Sequence, residues 1–158
     1  MSIERNKKIV RRFFDEFWNE RKLEIAAEIF APDCITHQLQ SGSETLGVPR
    51  GGAAVREHAA EWLAAFPDLH FTIEQMLAED NRVLSYATMR GTHDGNWLGV
   101  PATDRRVTVR MSVIHRIADG KIAEDWVLVE ALGFFQQLGL LPPTEEFISN
   151  AATIQEIR

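Results

Sequence analysis

Val107-Thr108-Val109-Arg110-Met111-Ser112-Val113-Ile114-His115-Arg116-Ile117-Ala118-Asp119-Gly120-Lys121-Ile122-Ala123-Glu124-Asp125-Trp126-Val127-Leu128-Val129 is the stretch that decides the fold. Val107, Val109, Met111, Val113, His115 and Ile117 alternate with Thr108, Arg110, Ser112, Ile114 and Arg116. That is the period of a strand with two unlike faces. Asp119-Gly120 signals a two-residue hairpin turn, whose favoured form needs positive φ at both positions. Ile122 to Glu130 then returns antiparallel. With the turn centred there, His115 faces Asp125 and Val113 faces Val127, with Cβ atoms about 4.5–5.5 Å apart. Asp125 shares its face with Val127 and Val129, so it points to the covered side. A one-residue slip of register would turn it outward.

Reading outward, His70–Ala78 and Arg82–Thr92 form two more strands around Glu79-Asp80-Asn81, and Gly91–Asp104 is a loop rich in Gly, Pro and Asp. Upstream the period changes. Ile3–Glu20 carries Ile9, Val10, Phe13, Phe14, Phe17 and Trp18 at helical spacing. Leu23–Phe30 is a second, short helix, ended by Pro32, which lacks the donor and restricts the residue before it. Cys34–Leu39 reads as a short strand and Ser41–Gly52 as a loop. Ala53–Phe66 is a third helix whose stripe of Val55, Ala59, Trp62, Leu63 and Phe66 includes His58. Downstream, Ala131–Leu138 is a short helical segment closed by Gly139. Pro142-Pro143 sets off a polar tail. Three helices before an antiparallel meander give an α+β layered fold, with one domain over residues 1–141 and a tail over 142–158.

The whole chain has 158 residues, with 17 Lys+Arg against 23 Asp+Glu and a net charge of −6. An acidic chain lacks the basic footprint of nucleic-acid binding. No apolar run nears the roughly 20 residues of a membrane span. Cys34 is the single cysteine, which excludes an internal disulfide and a Cys-rich zinc site. The N-terminal residues show no apolar signal core, so a cytoplasmic setting is the expectation.

No G-x-S-x-G, phosphate-binding glycine loop or H-E-x-x-H motif is present. Gly51-Gly52 before a helix reads as a loop-to-helix turn. The chemistry-bearing constellation is the predicted His115–Asp125 pair, since a carboxylate beside an imidazole fixes its tautomer and suits acid–base work. The competing reading is a structural pair within a hairpin. His37, at a strand edge, and His93, in the Gly-rich loop, are candidates to orient a substrate. His58 and Trp62 on the third helix, and Met111, Val113 and Val127 on the hairpin, are candidate lining, and Trp97 is a candidate lid. No pair of the five His and Cys34 has metal-ligand spacing, so neither a metal nor a cofactor is expected.

Several segments together resemble the SnoaL-like polyketide cyclases of the nuclear transport factor 2-like superfamily. They are Ile9-Val10-Arg11-Arg12-Phe13-Phe14, Phe30-Ala31-Pro32-Asp33, Gly91-Thr92-His93, Gly99-Val100-Pro101-Ala102-Thr103-Asp104-Arg105-Arg106, His115-Arg116-Ile117 with Asp119-Gly120-Lys121-Ile122, and Gln137-Leu138-Gly139. The resemblance implies a cone-shaped curved sheet wrapped around the N-terminal helices, with an internal apolar pocket. It implies cofactor-free ring closure of an aromatic polyketide methyl ester by intramolecular aldol condensation, with a pocket Asp as acid/base and a His on the neighbouring strand. Carried over without a gap, the family's Asp position falls on Val127 and its His position on Val113, neither of which transfers a proton. The loop histidine is matched by His93. The nearest replacements are Asp125 and His115, one pleat repeat (roughly 6.6 Å) along the same face.

Three functional readings follow: an enzyme, a non-catalytic ligand-binding protein and a mainly structural interaction protein. In the first, the protein is a cyclase-like or isomerase-like enzyme on a small hydrophobic carbonyl compound, with Asp125 as base and His115 as its partner. In the second, it is a non-catalytic ligand-binding member that has lost the cyclase pair. The opposite face of the hairpin, with Ile114, Ile122, Trp126 and Leu128, is expected to form a homodimer interface.

Overall fold

The computed structural model describes residues 2–38 and 48–156. Helix α1 (Ile3–Arg12) begins where the Ser2 side chain accepts a hydrogen bond from the Arg5 amide. It runs directly into a wider, π-helical stretch over Phe13–Asn19, in which the Glu20 amide reaches back five residues to the Asp15 carbonyl. A 3-10 turn (Leu23–Ile25) and α2 (Ala26–Ile29) lead into β1 (Phe30–Gln38). There follow β2 (Val48–Pro49), α3 (Gly52–Ala65), β3 (His70–Glu79), β4 (Arg82–Thr92), β5 (Arg106–Ala118), β6 (Lys121–Val129), α4 (Ala131–Gln137) and α5 (Thr144–Glu156).

The strands form one sheet in the order β2-β1-β6-β5-β4-β3. The meander is antiparallel, and β4 and β5 pair without a break from Arg82↔Arg116 to Thr92↔Arg106. One pairing is parallel: β1 lies along β6, with Thr36 beside Asp125 and His37 beside Trp126. That strand starts at Phe30, earlier than its sequence predicts, and Pro32 lies inside it. The proline is tolerated because the β1–β6 register breaks between Phe30 and Ile35, where no ladder bond is required of it. Leu39 and most of the expected loop, residues 41–47, lie outside the described residues. The expected polar tail contains a helix, α5, with Glu145 and Glu146 in its first turn, where acids favour the helix dipole.

The sheet curls into a cone around the helices. Its concave face buries Val83, Ala87, Val107, Val109, Val113 and Ile117 against Val10, Phe14, Phe17 and Phe30. Burying a large apolar side chain stabilises by about 1.5–3 kcal/mol, so this layer holds α1 and the π-helical turn in place. The edge strand β3 is clamped to that turn by Asn19, whose side chain donates to the Phe71 carbonyl at 2.9 Å and accepts from the Phe71 amide at 2.8 Å. The clamp occupies edge groups that would otherwise be unpaired.

In the β5–β6 hairpin, Asp119 and Gly120 both have positive φ (49° and 78°), as a type I′ turn requires. The turn pair is Ala118↔Lys121, and Ile117 faces Ile122. The register then shifts so that Arg116 faces Glu124, which leaves Ala123 as a bulge. From there the ladder runs His115↔Asp125 and Val113↔Val127. The bulge turns Ile122 inward, where it is fully buried. Ile122 therefore does not belong to the outer apolar set expected from strict alternation, whereas Ile114 and Leu128 are exposed on that side.

Candidate functional site

Helices and concave sheet line a cavity of about 90 Å³. Phe13, Phe14 and Trp18 close it from the N-terminal helix, and His58 and Trp62 from α3. On the sheet, β5 supplies Val109, Met111 and Val113, and β6 supplies Val129, Val127 and Asp125. Asp125 is thus the last β6 residue the cavity reaches, at its end nearest the hairpin turn. His58, Trp62, Met111, Val113 and Val127 all lie in the cavity wall. Val113 and Val127, where the resemblance implies His and Asp, are plain wall.

Asp125 is 5% exposed. Its neighbour across the parallel pairing, Thr36, donates its hydroxyl to the carboxylate. Oδ1 makes no hydrogen bond with any described residue. Burial pushes the carboxyl up to about 6, against the pull of the Thr36 bond and of the Arg50 and His37 charges. Arg50 also lines the cavity. It is placed by its amide, which donates to the Cys34 carbonyl at 2.7 Å, and by the close approach of the α3 start to β1. A Cβ on Gly51 would overlap the Pro32 carbonyl oxygen, so that junction needs glycine. Burial, then the Arg50 charge, pushes His58 down to about 4. At neutral pH the cavity therefore holds a carboxylate of raised basicity, a guanidinium and a neutral imidazole.

His115 sits opposite Asp125, but no hydrogen bond joins them. The imidazole is fully buried and is not part of the cavity wall. Its ring packs at 5.0 Å from Phe13 and 6.2 Å from Phe14, edge-on to both. Neither nitrogen has a partner among the described residues. Burial alone pushes it down to about 3. The expected proton-sharing pair is thus corrected: facing positions bring the backbones together, and the aromatic cover keeps the imidazole neutral and out of the cavity.

Three other expectations are revised. His37 is on the convex face, where Nε2 is 2.9 Å from Glu124 Oε1 and the ring stacks on Trp126 at 5.1 Å. Alternation along β1 sends its neighbour Thr36 inward instead. His93 is buried away from the cavity. Its Nδ1 is 3.0 Å from the Thr103 hydroxyl, so it ties the ends of the loop together, and it stacks on Phe66 at 5.1 Å. Trp97 does not line the cavity; it packs on the lining residue Trp62 at 5.2 Å and on Phe134 at 5.1 Å. The polar residues the sequence reading missed are Thr36 and Arg50. Neither lies in a periodic segment that would have announced its direction. Cys34 is buried, with its thiol pushed up to about 12, chiefly by burial, so it carries no thiolate chemistry.

The chain matches the SnoaL-like polyketide cyclase family over residues 8–138. It is similar to the aklanonic acid methyl ester cyclase DauD of Streptomyces sp. (strain C5), at 32% identity over 87% of this chain and 84% of that one. The same identity over 87% of this chain and 93% of the other relates it to the aklanonic acid methyl ester cyclase DnrD of Streptomyces peucetius. Among solved structures, AclR of Streptomyces galilaeus, a candidate hydroxylase, superposes with a TM-score of 0.78 at 26% identity, covering 99% of this chain and 96% of that chain. IdmH of Streptomyces antibioticus, a candidate polyketide cyclase, gives a TM-score of 0.71 at 27% identity over 85% of this chain and 98% of its own. The protein belongs to the SnoaL-like polyketide cyclase family.

Proposed function

We propose that the protein binds a small hydrophobic carbonyl compound of the polyketide ester class and closes a ring in it by intramolecular aldol condensation, with Asp125 as general base and then general acid. The observation that carries this reading is a buried carboxylate, one of whose oxygens has no partner among the described residues, at the end of an otherwise mostly apolar cavity. Asp125 takes a proton from the carbon between two carbonyl groups. The resulting enolate carbon attacks a third carbonyl elsewhere in the same molecule. The new alkoxide takes the proton back from the Asp125 carboxylic acid, so no atom is gained or lost. Arg50 stabilises the negative charge on the enolate oxygen, and Thr36 holds the carboxylate in place. A base near pKa 6 is strong enough to remove an activated C–H proton and still ionised at neutral pH.

The test uses aklanonic acid methyl ester, the compound in the relatives' names. Turnover is expected to rise with pH through about 6, and Asp125→Asn is expected to lower it by about 10²–10⁴-fold. Full turnover by Asp125→Asn excludes this residue as the base. Tight binding of the ester without turnover by the unaltered protein favours the second reading, a non-catalytic binding protein walled by Val113 and Val127.

A further inference from the structure

Beside Asp125, two more side chains on the concave face bury polar atoms with no partner among the described residues: both ring nitrogens of His115, and the hydroxyl of Ser85. Both residues are fully buried. Folded proteins leave few such groups, because each forfeits its hydration for nothing. These two are neighbours. Ser85 faces Val113 across β4 and β5, while His115 lies one pleat repeat along β5 and faces Val83 and Asp125. Such diagonal positions on one face lie within about 7–8 Å.

They also adjoin the cavity without opening into it. Phe13 belongs to the cavity wall and its ring packs against His115. Phe13 is also the first residue of the π-helical stretch, where the regular helical bonding pattern changes. The cavity, at about 90 Å³, is well below the roughly 300–1,000 Å³ of pockets that hold drug-sized ligands. A multi-ring compound needs more room, and the side chains packed behind Phe13 carry polar groups without partners among the described residues.

We propose that the cavity continues beneath Phe13 into a polar subsite, formed by His115 and Ser85, that receives a hydroxyl group of the bound ligand. The chemistry selects the group. A neutral imidazole offers one donor and one acceptor, and a serine hydroxyl offers both. An alcohol or phenol both donates and accepts, so it satisfies either partner. A carboxylate only accepts and an ammonium only donates. The subsite would anchor the hydroxyl-bearing end of the ligand and so determine which carbon faces Asp125. This rests on the reading of the cavity as a ligand pocket.

The test compares 2-naphthol with 2-methylnaphthalene, two probes of like shape, of which only one has a hydroxyl. Trp18 and Trp62 line the cavity, so quenching of their fluorescence reports binding of either. Apolar transfer alone favours the methyl compound. The unaltered protein is expected to bind 2-naphthol about tenfold more tightly, the scale of one net hydrogen bond. The variant Ser85→Ala/His115→Leu is expected to lose that preference and to keep its affinity for 2-methylnaphthalene within about twofold. A measurement on the unaltered protein guards against a variant that does not fold: 2-naphthol, and not 2-methylnaphthalene, should shift the imidazole ¹⁵N resonances of His115. Equal binding of the two probes overturns the subsite and leaves the pocket reading standing. An unchanged preference in the folded variant, or His115 resonances indifferent to 2-naphthol, does the same. Failure of both probes to bind overturns the pocket reading and the subsite with it; binding of 2-methylnaphthalene alone overturns only the subsite.

Discussion

The same three strands carry two polar rows on opposite sides of the sheet, one residue apart. The inner row is Thr36, Asp125 and His115; the outer row is His37, Glu124 and Arg116. In the outer row every charge is answered. Glu124 accepts from Arg116 at 2.8 Å and sits 2.9 Å from the His37 imidazole, and the Arg116 bond leads in holding its carboxyl below the usual range. In the inner row Asp125 accepts from the Thr36 hydroxyl, His115 has no partner among the described residues, and burial dominates both. Two adjacent acids are thus moved in opposite directions. Residue type contributes little to that difference; water on one side and aromatic rings on the other decide it.

The largest expected separation between the rows is in turnover. Asp125→Asn should cost the 10²–10⁴-fold that a lost general base typically costs, while Glu124→Gln should stay within about twofold of the unaltered protein. Equal losses in both variants would erase the distinction between the rows.

Stability at neutral pH should separate them next, and with opposite signs. The folded-state pKa of Asp125 lies above its unfolded value, so the folded protein holds that proton more tightly. Keeping the charge buried therefore costs stability as pH rises from about 4 to about 6, and by a constant amount above that. Asp125→Asn should stabilise the fold at pH 7.5 by up to about 3 kcal/mol, with the gain gone at pH 4, as read by denaturant titration. His115 tests the acid side. Its folded-state pKa lies below its unfolded value, so its contribution is complete above about 6.5 and is lost as pH falls toward 3. His115→Leu should flatten that acid slope by about 3 kcal/mol between pH 7 and pH 4. A slope that does not change would mean that the imidazole is not the buried group that resists protonation.

The smallest expected effect belongs to the outer row. Partly exposed ion pairs of this kind contribute about 0–1 kcal/mol. Because the Glu124 carboxyl is held down, its contribution is present at neutral pH and lost in acid. Glu124→Gln should therefore destabilise by less than about 1 kcal/mol at pH 7, and 1 M salt should remove most of that difference.

Much of this architecture is legible from periodicity. The alternation from Val107 to Ile117, the Asp119-Gly120 turn and the helical spacing from Ile9 to Trp18 all resolve into the elements they indicate, because each is a local pattern over many residues. Asp125 shares its face with Val127 and Val129 by the same alternation, but the turn alone, counted without the bulge at Ala123, would have faced it outward. Legibility fails where direction depends on distant chain. Thr36 and His37 alternate in a strand whose partner, β6, lies far along the sequence and runs parallel to it, so nothing local says which of the two faces inward. Arg50 reaches the cavity because Gly51 lets α3 approach Pro32, a contact between segments with no shared pattern. The separation of His115 from the cavity depends on Phe13, which reads along the sequence only as one more core aromatic. Family membership has a matching limit. The fold is shared with relatives named as cyclases and with one named as a candidate hydroxylase, so the fold alone does not assign the reaction.

The bulge at Ala123 acts as a selector. A hairpin continued in strict step from the turn pair Ala118↔Lys121 would set Glu124 opposite His115 and send Asp125 to the convex side. The extra residue resets odd and even once, just before the two acids, and thereby chooses which carboxylate is taken out of water. The shorter side chain goes in, close to the sheet, and the longer one is left where it can reach an arginine and a histidine. Moving the bulge beyond the two acids would exchange their surroundings without changing the composition of the chain. The carboxylate chemistry of this cavity is therefore encoded as much in a count of residues as in their kinds.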